Sequence, residues 1–110
     1  MPDRYHVAWA PVAVRDVVSI LEYLAEDDPG YTEQLFGKLE RQAKSLERFP
    51  ARGRIVPELK AMGIQFLREL VIAPYRMIFR IEGHAVHVLA VFDGLRNLED
   101  ILLERALRNP

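Results

Sequence analysis

Four arginines, Arg68, Arg76, Arg80 and Arg96, lie in or beside the most regular apolar stretches of this chain. A guanidinium is a rigid fork of five donors that fits a phosphate or a carboxylate. Three kinds of chemistry are open to such groups: contact with a nucleic-acid backbone, an anchor in a protein interface, or an ion pair across strands. Arg76, Ile78 and Arg80 alternate with Tyr75, Met77, Phe79 and Ile81, so two arginines share one strand face. That face is either a binding surface or the solvated side of a sheet. Arg68 adjoins Glu69, but strand neighbours point to opposite faces, so these two do not pair with each other. The expectation for Arg68 is an ion pair across strands with another charge.

Arg52-Gly53-Arg54 is a basic glycine loop. It suits either an anion nest or a turn whose arginines tie down carboxylates such as Glu58. The turn is the expectation, because no Lys-Ser/Thr follows as in a phosphate-binding loop. His6, His84 and His87 are the only histidines, and the last two are spaced for opposite faces of a strand. No metal site or cofactor is expected from them.

The elements that must position these residues follow from periodicity and punctuation. Tyr5, Val7 and Trp9 alternate with polar or small residues and predict a first strand. Pro11 suits the first turn of a helix. Val14, Val17, Val18, Leu21, Leu24 and Ala25 recur at helical spacing. Asp27-Asp28-Pro29-Gly30 ends that helix, with Asp28 as the cap and Pro29 as the first residue of the next. Leu35, Phe36, Leu39, Ala43 and Leu46 form a second stripe, so the two helices are expected as an antiparallel hairpin. Trp9 is expected in the core or under the second helix.

Residues 50–65 carry Pro50, Gly53, Pro57 and Gly63 and read as a structured loop. Three strand-like runs follow, 66–72, 75–81 and 85–92, joined by Ala73-Pro74 and Glu82-Gly83 turns. The last is apolar on both faces, which predicts a central, covered strand with the first strand beside it. Asp93-Gly94 ends it. Asn97 caps a last helix, 98–108, with Leu98, Ile101, Leu102 and Leu107 as apolar contacts. The expected fold is therefore α+β, in the order β-α-α-β-β-β-α. A four-stranded, mainly antiparallel sheet packs against the N-terminal helical hairpin.

Composition narrows the function. Residues 1–110 suffice for one domain with a modest core. Half the residues are apolar, which excludes disorder. No apolar run approaches bilayer-spanning length, and the first residues enter a strand pattern without a signal-peptide core. The absence of cysteine excludes disulfides and fits a cytoplasmic protein. Fifteen basic and sixteen acidic residues give a net charge of −1, which argues against gripping nucleic acid by bulk electrostatics. A local basic patch stays open.

The ordered set of segments resembles the RelE/ParE superfamily of toxins from type II toxin–antitoxin systems. The resemblance is carried by Asp28-Pro29-Gly30, by the loop from Phe49 to Glu58, by Leu67-Arg68-Glu69-Leu70 with Pro74-Tyr75-Arg76-Met77-Ile78-Phe79, and by Val88 to Val91 with Arg96. It spans roughly residues 5–97. It implies two chemistries. RelE-type toxins cleave mRNA on the ribosome, whereas ParE-type toxins poison DNA gyrase. The Gly53-Arg54-Ile55-Val56-Pro57-Glu58 loop is closer to the ParE side.

For a nuclease, the resemblance places catalytic arginines at Arg76 and Arg96. RNA cleavage also needs an acid and a base, and no tyrosine or histidine follows His87. The leading expectation is a ParE-like toxin that inhibits DNA gyrase by stoichiometric binding, with no catalytic residue. Arg68, Arg76, Arg80 and Arg96 are its candidate target contacts. The alternatives are a RelE-like mRNA endonuclease or a non-toxic interaction module of the same fold. The resemblance further implies a cognate antitoxin, of ribbon-helix-helix type with a wrapping tail, in a hetero-oligomer. Leu98, Ile101 and Leu102 are the candidate antitoxin contacts.

Overall fold

A computed structural model describes residues 4–108, with side chains as far as residue 105. The chain opens with strand β1 (His6–Trp9) and runs directly into α1 (Pro11–Ala25). Pro11 stands at the start of α1, where a missing N–H costs nothing. Helix α2 (Pro29–Ser45) follows, with Asp28 accepting a 3.0 Å hydrogen bond from the Tyr31 amide. A 3-10 turn (Pro50–Arg52), strand β2 (Arg54–Ile55) and the one-turn helix α3 (Pro57–Lys60) lead into the meander of β3 (Leu67–Ile72), β4 (Tyr75–Glu82) and β5 (Ala85–Asp93). Helix α4 (Leu98–Arg108) ends the described chain, and Asn97 Oδ1 accepts from the Glu99 amide at 2.8 Å. Both caps are those the sequence predicts. The side chain of Leu107 lies outside the described residues.

The strand order is β1-β5-β4-β3-β2. β5 lies between β1, which it meets in parallel, and β4, which it meets antiparallel. This is the placement expected for a strand apolar on both faces. The sheet has five strands rather than the expected four. The extra strand is β2, whose two residues pair Arg54 with Glu69 and Ile55 with Arg68. Two residues carry no periodicity, and the flanking Pro50, Gly53 and Pro57 make the segment read as a loop.

Both faces of the sheet are covered. The helical hairpin packs on one, through Ala13, Val17, Leu35, Leu39, Ala43 and Leu46, against Met77, Phe79, Val88 and Val91. On the other, Val56 and Leu59 of the α3 region join Leu98 and Ile101 of α4 against Ile78, Ala90 and Phe92. Trp9 packs half-buried at the edge of the first core, where it lines the groove between α1 and α2. Val14, Val18 and Phe36, expected as core residues, are instead about half exposed at 46%, 47% and 46%. The sheet meets the hairpin along a narrower strip than its apolar face provides, and the small Ala13 takes a core place.

β1 is too short to accompany β5 along its whole length, and its last bond to β5 runs from the Ala10 amide to the Val88 carbonyl. Beyond that point Asp16 of α1 takes over. Its carboxylate accepts from the Val91 amide at 2.9 Å and pairs with Arg105 of α4 at 2.6 Å. One side chain thus ties α1, the central strand and the last helix. Among the described residues, no helix is long and apolar enough to cross a membrane.

Gly53 shows how tightly the start of β2 is packed. A Cβ there would lie 2.5 Å from Phe79 Cζ and 3.0 Å from the Glu69 carbonyl oxygen. Phe79 is fully buried and has nowhere to retreat. Gly53→Ala is expected to destabilise the protein by about 1–3 kcal/mol through overpacking. At roughly 4–8 °C per kcal/mol for a domain near this size, thermal unfolding will read it.

Candidate functional site

The four arginines singled out in the sequence do not form one site. Arg68 faces the hairpin side of β3, opposite Phe79. Its Nη1 donates to the Gly53 carbonyl at 2.7 Å, so it holds the edge turn and not the expected carboxylate. Arg80 pairs with Glu82 at 3.0 Å, half-exposed on the opposite face. Arg96 lies in the turn before α4 and pairs with Glu104 at 3.2 Å. Asp93 shapes that turn, accepting the Leu95 amide on its side chain and the Arg96 amide on its carbonyl.

Arg76 is different. Its side chain is only 10% exposed, and it is enclosed by carboxylates. Nε donates to Glu69 Oε1 at 2.6 Å, while Nη1 and Nη2 donate to the two oxygens of Glu58 at 2.7 and 2.8 Å. The ring of Phe92 lies 5.4 Å from the guanidinium carbon. Glu69 is fully buried and takes a second cation, Arg54, at 2.6 Å. The result is an alternating chain, Arg54–Glu69–Arg76–Glu58, that ties β2, β3, β4 and α3 together. Its formal charge sums to zero.

The electrostatics follow from this geometry. The bidentate hydrogen bonds from Arg76 hold the Glu58 carboxyl below its usual range. The same bonds to Glu58, then those to Glu69, push Arg76 above its ordinary value, so it is permanently charged. Tyr75, its neighbour, lies on the other face among the hairpin core residues, and burial pushes its phenol up. Arg76 therefore has its donor fork taken up by carboxylates of its own chain and none left for a phosphate. The arginines of the 52–54 loop follow the turn reading only in part: Arg54 holds a carboxylate, though not Glu58, and Arg52 bonds an amide and a hydroxyl instead. Arg54 serves Glu69, and Arg52 donates to Gln42 and to Ser45 Oγ.

Leu98 and Ile101 are buried against this chain's own sheet, at 5% and 2% exposure. Of the three only Leu102 is exposed, although all three line a small apolar cleft with Leu59, Leu67 and Phe92. A second open apolar surface lies between α1 and α2. A groove of about 460 Å³ runs there, with Val17, Leu39 and Ala43 in its floor and Val14, Val18, Leu21 and Phe36 on its sides. The signal for it was in the sequence. Both helices carry apolar stripes wider than one sheet face can bury.

Breaking the buried chain should be costly. Arg76→Ala leaves Glu69 buried beside one remaining cation, and a loss of about 3–5 kcal/mol is expected. Combining Glu69→Leu with Arg76→Met should cost clearly less, because no buried charge is left unpaired. Denaturant titration of the two variants checks the order. The lowered Glu58 value also fixes a pH dependence. Its contribution is present above the unfolded value of about 4.5 and is lost as pH falls through the lower folded value. Glu58→Gln should flatten that acid limb of the stability curve.

Comparison with known proteins agrees with this architecture. The ParE toxin family of type II toxin–antitoxin systems, parDE, matches residues 7–98. Toxin RelE1 of Caulobacter vibrioides is 33% identical over 84 residues, covering 76% of this chain and 86% of that toxin. Toxin RelE2 of the same organism is 28% identical over 91 residues, covering 82% and 96%. Among solved structures, the chromosomal ParDE toxin–antitoxin system from P. aeruginosa superposes with a TM-score of 0.68 at 18% identity, over 83% of this chain and 97% of that one. The RelBE2 toxin–antitoxin complex of Mycobacterium tuberculosis gives 0.53 at 21%, over 82% and 98%. At such identities the structures speak for the fold, which is the RelE/ParE-like α+β arrangement. The sequence matches speak for the family: this chain belongs to the ParE toxin family of type II toxin–antitoxin systems, within the RelE/ParE superfamily.

Proposed function

We propose that this toxin acts in the ParE manner, by stoichiometric binding to DNA gyrase in the cytoplasm, as a single domain without a catalytic residue. The observation that carries the reading is the state of Arg76. The residue at the position of a nuclease arginine is neutralised by Glu58 and Glu69 and largely buried. A phosphate-stabilising cation must be preorganised towards the charge that develops in the reaction. This one is preorganised towards the protein's own carboxylates. The exposed Arg80 and Arg96 hold only surface carboxylates, a bond worth about 0–1 kcal/mol, so either can be recruited as an anchor by a protein partner.

Neutralisation would come from a cognate antitoxin, of ribbon-helix-helix type with a tail that wraps the toxin, in a hetero-oligomer. The groove between α1 and α2 supports this, because an open apolar channel is a liability for a chain that works alone.

The second reading is a ribosome-dependent mRNA endonuclease. The names of the two Caulobacter relatives favour it. Gyrase supercoiling of relaxed plasmid, with the protein titrated in and cleaved DNA trapped by detergent and protease, separates the two. The expected outcome is a dose-dependent loss of supercoiling with accumulation of linear DNA, reversed by the antitoxin. RNA should remain intact with the wild type and with Arg76→Ala/Arg96→Ala alike. No effect on gyrase from protein that still arrests growth would transfer the function to mRNA cleavage.

A further inference from the structure

A cleft of about 530 Å³ opens between α1, the end of the sheet where β4 begins and β5 finishes, and α4. Three carboxylates line it, and two are matched within the chain, Asp16 by Arg105 and Glu104 by Arg96. The third, Asp93, is not. Its Oδ1 accepts the Leu95 amide, and among the described residues its Oδ2 accepts nothing and no cation pairs with it.

Tyr75, which also lines the cleft, adds an independent sign. It stands opposite Asp93 across β4 and β5, so the two side chains share the hairpin face of the sheet. The residue is only 8% exposed, yet its hydroxyl makes no hydrogen bond to any described residue. A buried tyrosine ordinarily finds a partner for that group. Among the described residues, Arg80 Nε is the one side-chain polar atom sealed from water without a partner, so the Tyr75 hydroxyl keeps an open side. Burial, then Tyr31 and Asp93, push the phenol up, and it stays a neutral hydroxyl. An unmatched carboxylate and an unmatched hydroxyl therefore line the same cleft.

This pair narrows the ligand. Among the described residues, no group of side chains could hold a metal ion. A phosphate would be repelled by Asp93. A guanidinium fits, because one edge of its fork can serve a carboxylate while another N–H reaches a hydroxyl oxygen. Tyr23, 75% exposed, supplies an aromatic ring for the cation. Ile20 and Leu24 supply apolar surface for an aliphatic stem.

We infer that this cleft takes an arginine side chain of the toxin's protein target, held by Asp93 and Tyr75. The inference rests on the reading of the toxin as a stoichiometric gyrase inhibitor and adds the chemistry by which part of the target is recognised. Arginine is among the residues that most often dominate the energy of a protein interface.

The test uses the full chain and two variants. Tyr75→Phe removes a hydroxyl that holds nothing in the chain, and Asp93→Asn keeps an acceptor for the Leu95 amide. Both should keep the wild-type melting temperature. Amide NMR titration with N-acetyl-arginine amide should give saturable shifts centred on Tyr23, Tyr75 and Asp93. The neutral citrulline analogue should bind at least fivefold more weakly, and so should arginine to either variant. In the supercoiling assay, about tenfold more of either variant should be needed for half-inhibition.

A wild type that shows no saturable shift with arginine, or equal shifts with citrulline, overturns the site. Variants that lose arginine binding but inhibit gyrase as well as the wild type overturn the inference, because the target then does not use the cleft. A wild type that leaves gyrase untouched removes the gyrase reading itself and the target half of the inference with it, while the arginine titration still decides whether the cleft takes a guanidinium.

Discussion

A carboxylate with no access to water must be matched by cations, and Glu69 imposes that demand on this fold. It sits in the middle of β3 with its side chain fully buried. Isolated, such a charge would cost several kcal/mol. Arg76 reaches it along the diagonal from β4, and Arg54 reaches it from β2. Arg76 in turn needs more acceptors than Glu69 offers, and Glu58 supplies them from α3. Strand β2 and helix α3 are too short to stand on propensity alone. Their place is fixed by this chain of charges and by the apolar Val56 and Leu59 beside it.

Much of the fold was legible in the sequence because the strong signals are local. Alternation gave the meander, Asp28 and Asn97 gave the helix starts, and a strand apolar on both faces had to be central. β2 was not legible, since its pairing with β3 is a relation between segments with no pattern of their own. Arg76 was visible as a residue of interest, but not as a buried one. Its carboxylates lie 7 and 18 positions away in sequence, and only the register of β3 against β4 brings Glu69 beside it. Arg68 was expected to hold a carboxylate and instead holds a turn carbonyl, because its face of the sheet is the hairpin side. Spacing along one strand cannot reveal which partner waits across the sheet.

Arg54, Arg68, Arg76 and Arg80, on the strands, are bound to groups of the same chain and set its geometry. Arg41 and Lys44, near the end of α2, border the apolar groove between α1 and α2 and the depression beside it.

Asp16 carries a different consequence. Where β1 stops, the outer edge of β5 would present unpaired amides, and such an edge is a template on which another chain can add a strand. The Asp16 carboxylate occupies the Val91 amide, and α1 stands in front of it. Over this half of the central strand the sheet is closed to growth, so self-association through edge pairing is blocked where the strand is most apolar. The side chain that anchors α4 thereby also acts as a guard against aggregation.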